Sequence, residues 1–201
     1  MTERIIEPNK EFKKKYNLIS SNDELLRKPL ENFDFKNPPV DPEELARELV
    51  GHMRYYGGIG VSANQLGLPY RVFTMEGDPA FVCFNPRITA FAGDSVKMDE
   101  GCLSYPGLYV KKERPEIIRC RFFTPNGNSV VKKFTGMTAR IFQHEMEHMN
   151  GENFLEGIGP LALDFAKKRQ QKLLRKVQKQ RKQLKKMEKA GLIKQKDPNE
   201  S

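Results

Sequence analysis

Chemistry concentrates in the six residues Gln143-His144-Glu145-Met146-Glu147-His148, which hold two of the chain's three histidines. The run around them has helical rather than strand character, and on an α-helix positions i and i+4 share a face. Both imidazoles can therefore reach one metal ion, with Glu145 standing beside it. This is the H-E-x-x-H arrangement, in which the carboxylate can take a proton from a water. Two histidines leave such a site incomplete, because it needs a third protein ligand and an open position for water.

The third ligand separates the functions open to such a helix. In a thermolysin-like protease it is a glutamate on a later helix, and in a metzincin a third histidine in H-E-x-x-H-x-x-G-x-x-H. Here Gly151 stands at the metzincin glycine but Phe154 where the histidine belongs, and Glu152 and Glu156 lie too close to swing back onto the same face. Cys102 is the better candidate. It sits in Glu100-Gly101-Cys102-Leu103-Ser104, between a strand-like segment and Tyr105-Pro106-Gly107, so its backbone falls in a loop or strand end able to approach the helix. A cysteine ligand binds as thiolate, and its softness favours Fe(II), Zn, Ni or Co over Mg or Ca. Cys83 and Cys120, set among apolar strand residues, read as buried structural thiols. His52, on the apolar face of an earlier helix, reads as a packed histidine rather than a ligand.

A second small-residue segment, Gly58-Ile59-Gly60-Val61-Ser62-Ala63-Asn64-Gln65, is a poor dinucleotide fingerprint, since it follows a helix and has no third glycine. Its glycines allow the backbone of a ligand to come close, and Gln65 can present an amide donor.

The elements that position these residues follow from pattern. Residues 1–40 are polar with scattered apolar anchors, among them Ile19, Leu26, Leu30 and Phe33, and read as a wrapping arm. Asp41-Pro42-Glu43-Glu44 supplies an N-cap, a proline at the first helical position and an acidic third position. Leu45, Leu49, His52, Met53 and Tyr56 then predict a helix of roughly four turns ending at Gly57 and Gly58. Arg71 to Met75, Phe81 to Asn85 and Arg87 to Phe91 read as strands, and Ile117 to Thr124 and Ser129 to Phe134 as a hairpin about Pro125-Asn126-Gly127-Asn128. A helix over 136–150 follows, with Gly151 beyond its end and Met137, Ile141, His144 and His148 on one face. Residues 165–190 form a Lys/Gln-rich helix whose heptad seam is too broken for a coiled coil. Gly191 ends it, and disorder is expected over 197–201. The fold class is α+β, with antiparallel and mixed strands packed around a central H-E-x-x-H helix, an N-terminal helix and a C-terminal basic helix.

The formal charge of +9 is local. From Asp164 to Ala190 twelve Lys or Arg face only Asp164 and Glu188, whereas residues 1–163 carry 21 basic and 22 acidic side chains. Three cysteines without a framework spacing argue against a disulfide-built secreted domain. The charged start lacks an apolar core, and no run approaches the ~18 residues that would span a bilayer. We expect a soluble protein of a reducing compartment, the cytoplasm. Its expected parts are an extension over 1–17, a catalytic domain over 18–163 and a basic helical tail over 164–201.

The blocks GIGVSANQ, EGCLS and QHEMEH, in this order and spacing, make the chain resemble the peptide deformylases, whose signatures are G-x-G-x-A-A-x-Q, E-G-C-L-S and Q-H-E-x-D-H. Ser62 replaces the first alanine of the pair and Glu147 replaces the aspartate; the likeness covers about residues 18–160. It implies that Cys102, His144 and His148 hold one divalent metal ion, Fe(II) natively, with Zn, Ni or Co able to substitute. Glu145 becomes the general base for water and then the acid for the departing amine. Gln65 and the Leu103 backbone N–H become donors to the developing oxyanion, and Ile59, Gly60 and Gly101 the backbone that pairs with the substrate.

The implied substrate is a nascent peptide beginning with formyl-methionine, cleaved to formate and a free amino terminus. Met137 and Ile141 are then walls of the methionine pocket, with plain core packing as the alternative, and Arg140 lies near its rim. An ion pair between Glu147 and Arg114 is expected behind the site. The tail, Lys167 to Lys189, suits ribosomal RNA or is a solvated helix, with no membrane role, and the protein is expected to be a monomer. Two other readings stay open: a small H-E-x-x-H metalloprotease, and a non-enzymatic ribosome- or RNA-binding protein with a structural metal site.

Overall fold

The structure, a computed structural model, describes residues 12–190. The expected helix stop at Gly191, the expected disorder over 197–201 and the first eleven residues of the arm lie outside them. One five-stranded antiparallel sheet runs in chain order: β1 (Gly60–Ser62), β2 (Val72–Met75), β3 (Phe81–Gly101), β4 (Tyr109–Phe123) and β5 (Ser129–Thr135). Three helices accompany it, α1 (Pro42–Tyr55), α2 (Gly136–Asn150) and α3 (Pro160–Lys189), with 3-10 turns at Glu24–Arg27 and Ala63–Leu66. The expectation of mixed strands is corrected: every strand pair is antiparallel, and the only parallel pairing among the described residues is an isolated bridge, Glu31 to Tyr70.

Alternation along β2 explains the layering. Phe73 and Met75 point to one face, where they meet Phe142, Met146 and Met149 of α2, while Val72 points to the other, with Leu45, Leu49 and Met53 of α1. The sheet thus lies between α1 and α2. α1 starts where the sequence places it, with Asp41 accepting from the Glu44 N–H at 2.6 Å ahead of Pro42. α2 ends at Gly151 in the left-handed conformation, φ 73°, which a glycine adopts without penalty.

Two strand boundaries differ from expectation. Phe81–Asn85 and Arg87–Phe91 are parts of one 21-residue strand, β3, whose register to β4 shifts at three points, the first between Phe84 and Arg87. Asn85 there has φ 48° and Pro86 has no N–H to donate, so the bulge absorbs what the sequence shows as a break. β4 begins at Tyr109, eight residues before Ile117, and pairs as far as Gly101 with Tyr109. Its inward positions there include the buried Arg114, so no apolar alternation marks the strand. α3 likewise begins at Pro160 rather than 165, a proline at a first turn. Its root is anchored, because Ala166 packs with Leu108, Val110 and Phe154.

The arm is held by hydrogen bonds as well as by Leu26, Leu30 and Phe33. His52 is fully buried; its Nε2 accepts from the Tyr16 N–H at 3.0 Å, and its Nδ1 lies 2.7 Å from the Glu48 carbonyl. The Tyr16 carbonyl also lies 3.1 Å from Nε2, so the ring ties the arm to α1. His52→Leu keeps the volume but leaves the Tyr16 N–H without its acceptor. Thermal denaturation should show a loss of about 1–3 kcal/mol, a fall of several degrees in Tm, whereas an unchanged Tm would mean that this bond does not hold the arm.

Candidate active site

α2 presents His144 and His148 one turn apart with ring centroids 5.3 Å from each other. Cys102 follows the last residue of β3, where a turn closes through the Tyr105 N–H to the Cys102 carbonyl at 2.9 Å. One donor atom from each of Cys102, His144 and His148 falls within 4.8 Å of the others, and Cys102 Sγ lies 3.3 Å from His148 Nε2. The small-residue segment arrives from the other side. A Cβ on Gly60 would stand 2.4 Å from Glu145 Oε1 and 3.0 Å from Ile141 Cγ2, so β1 passes close to α2 and a side chain here would displace the Glu145 carboxylate. Gln65 Oε1 accepts from the Ser62 N–H at 3.0 Å, which turns Nε2 toward Ser104 Oγ at 3.0 Å and Cys102 Sγ at 3.4 Å.

These groups border a cleft of about 460 Å³. Ile59, Gly60, Gly101, Leu103, Met137 and Ile141 all line it, and Met137 and Ile59 are about half exposed at its mouth. Arg140 is corrected. It borders the cleft as a buried residue rather than at the rim, and donates to Glu100 Oε1 at 2.6 Å, to the Lys112 carbonyl at 3.0 Å and to the Val96 carbonyl.

Behind the histidines runs a buried ion network. Arg114 grips Glu100 through Nε and Nη2 at 2.6 and 2.8 Å, and Glu147 through Nη1 and Nη2, both at 2.9 Å. The glutamate in place of the family aspartate also meets Lys112 at 2.7 Å. Glu100 Oε2 lies 3.3 Å from His144 Nδ1, and a proton on Nδ1 leaves the Nε2 lone pair for the cleft. Sequence reading assigned no role to Glu100, Lys112, Ser62 or Asn64. Glu100 could have been found, since a metal-ligating histidine usually donates its second N–H to a carboxylate and this one stands two residues from Cys102.

Burial dominates the electrostatics. It raises the Glu145 carboxyl well above the usual carboxylate range, with Arg114 opposing. It pushes the Cys102 thiol up to about 12 against hydrogen bonds from Ser104, and lowers His148 to about 3 with His144 adding to the effect. Glu145 Oε2 and His148 Nδ1 are buried without a hydrogen-bond partner among the described residues. A soft thiol and two imidazoles, buried and crowded together, fit a divalent transition-metal cation, whose charge would favour the thiolate. Glu100 behaves oppositely: burial would raise it, but hydrogen bonds from His144 and Arg114 outweigh that and bring it to about 2.

An H-E-x-x-H helix, a strand-end cysteine and an amide donor around one cleft define a metal-dependent hydrolase site. The sequence profile of the polypeptide deformylase family matches residues 15–163. The peptide deformylase of Desulforudis audaxviator (strain MP104C) is 36% identical over 144 residues, covering 70% of this chain and 92% of that protein. Among solved structures, a peptide deformylase from Synechococcus elongatus in complex with actinonin superposes with a TM-score of 0.72 at 33% identity, covering 77% of this chain and 85% of that one. A class I type b peptide deformylase from Acinetobacter baumannii with Met-Ala-Ser bound gives 0.66 at 28% identity, covering 71% and 98%. The chain belongs to the peptide deformylase family, enzymes that remove the formyl group from nascent peptides.

The low value of Glu100 carries a pH prediction. A carboxyl whose folded pKa of about 2 lies below its ordinary 4.5 contributes stability that is complete above about pH 4.5 and lost as the pH falls toward 2. The unfolding free energy of the metal-free protein from urea titrations should therefore fall across that window by roughly 3 kcal/mol more than that of Glu100→Gln. Parallel curves for the two proteins would refute it.

Proposed function

We propose that Cys102, His144 and His148 are the metal ligands of a deformylase centre that acts on formyl-methionyl peptides. What carries the reading is the meeting of those three donors within 4.8 Å beside Glu145 and Gln65. When bound, the cation supplies Lewis acidity and acidifies water. Glu145, its carboxyl raised by burial, takes a proton from the attacking water; the water oxygen bonds to the formyl carbon and the carbon–nitrogen bond breaks. Glu145 then returns the proton to the departing amine, and formate leaves.

Gln65 has one Nε2–H on Ser104 and the other directed at the Cys102 side of the cleft, where with the Leu103 N–H it serves the oxyanion. Ile59, Gly60 and Gly101 offer backbone to an extended substrate, and Met137 and Ile141 wall the methionine pocket. Arg114 and Glu147 hold the ligands from behind. Iron(II) is the native metal, the protein is a monomer, and the compartment is the cytoplasm.

The protease reading has less support here. Phe154 is buried with its ring centroid 5.4 Å from that of His144, and Glu152 and Glu156 are exposed. Anaerobically purified protein should contain about one iron per chain and release formate from formyl-Met-Ala-Ser without cutting internal peptide bonds. Glu145→Gln should abolish release while keeping the metal, and Gln65→Leu should lower kcat about 10²- to 10³-fold. Internal cleavage, or an active Glu145→Gln, would overturn the assignment.

The tail proposal is that α3 contacts ribosomal RNA, bringing the enzyme to its substrate. The twelve basic residues over Asp164 to Ala190 support it. Truncation after Leu163 is a poor test, because Ala166 packs under Leu108 and Gln170 donates to the Pro106 carbonyl at 2.9 Å, in the turn that follows Cys102. Replacing the Lys and Arg of 175–189 with Gln spares those contacts. Ribosome co-sedimentation should then weaken and lose its salt dependence; equal binding across the salt series would end the idea.

A further inference from the structure

The carbonyl of His148 lies in the last turn of α2, where backbone oxygens lack partners within the helix. The Gly151 N–H reaches it at 3.3 Å, and the Asn64 side chain supplies a shorter bond, Nδ2 donating at 3.0 Å. Asn64 is fully buried, and its amide is oriented from behind, because Oδ1 accepts from the Ser62 hydroxyl at 2.7 Å. Nδ2 also faces the Leu25 carbonyl at 3.5 Å. The same hydroxyl lies 3.2 Å from Gln65 Oε1, but its single proton favours the shorter contact, and Gln65 already has the Ser62 N–H. The next carbonyl, of Met149, is held by Arg71 Nη1 at 2.8 Å and the Leu30 N–H at 2.9 Å. Asn64 is thus the side chain that ties down the peptide unit of His148 itself.

We propose that Asn64, oriented by the Ser62 hydroxyl, is a positioning residue for His148. By fixing the His148 carbonyl it fixes the backbone of the final turn and so the direction of the imidazole toward the cleft. An alanine at 62, as the family pattern has it, offers no such hydroxyl. The inference rests on the reading of His148 as a metal ligand. Residues that orient a ligand from outside the coordination sphere typically change metal affinity 10- to 100-fold when lost.

The test titrates metal-free full-length protein with cobalt(II) alone, reading the visible ligand-field absorption and the dissociation constant by chelator competition. Asn64→Leu should weaken cobalt about 10- to 100-fold. Ser62→Ala should weaken it about two- to tenfold, and the double variant no more than Asn64→Leu, because Ser62 acts through Asn64. Wild-type cobalt affinity in folded Asn64→Leu, even with a lower Tm, would reduce the pair to a structural role and overturn the proposal. If Asn64→Leu does not fold, Ser62→Ala decides alone, and wild-type affinity there overturns it. His148→Ala separates the underlying reading: cobalt affinity unchanged by its loss would overturn the ligand assignment and the proposal together.

Discussion

One guanidinium joins the two halves of the site. Arg114 rises from β4 with one edge on Glu100 and another on Glu147; Glu100 stands two residues before Cys102, and Glu147 immediately before His148. The planar fork of arginine fixes both carboxylates in direction as well as distance, which a lysine could not do. The strand end that carries the thiol and the helix that carries the imidazoles are therefore set against each other through a single rigid group. Arg140 and His144 complete the surround of Glu100, and Lys112 takes up the extra reach of Glu147.

Such a network is not an efficient source of stability. Burying these charges costs nearly what their pairing returns, while removing one partner leaves a charge stranded at a cost of about 3–5 kcal/mol. Its consequence is orientation. Glu100 pins the tautomer of His144, and the positive field of Arg114 opposes the rise that burial forces on Glu145. The apolar framework does the complementary work: α2 is held over the sheet by Phe142, Met146 and Met149, and Gly60 lets β1 approach until Glu145 and the cleft-lining backbone share one space.

The metal helix was legible from sequence almost to its ends, because the 3.6-residue period, the glycine at 151 and the H-E-x-x-H spacing agree. The place of Cys102, at a strand end able to approach that helix, was legible for the same reason of local consistency. The long hairpin of β3 and β4 was not, since its outer half is mostly exposed on β3 and one of its two buried positions on β4, beside Val110, is an arginine, so neither strand shows apolar alternation. The rim position expected for Arg140 fails because its partner Glu100 comes from a strand 40 residues earlier, which no local pattern shows. The Ser62 to Asn64 to His148 chain spans 84 residues between Asn64 and His148, and no local pattern encodes such a contact.

The central claim is that a strand-end thiol and two helical imidazoles form one ligand set. X-ray absorption of the zinc-loaded protein tests it directly. The coordination shell should contain one sulfur at about 2.3 Å and two imidazole nitrogens at about 2.0 Å. A shell of nitrogen and oxygen alone, with no sulfur, would contradict it.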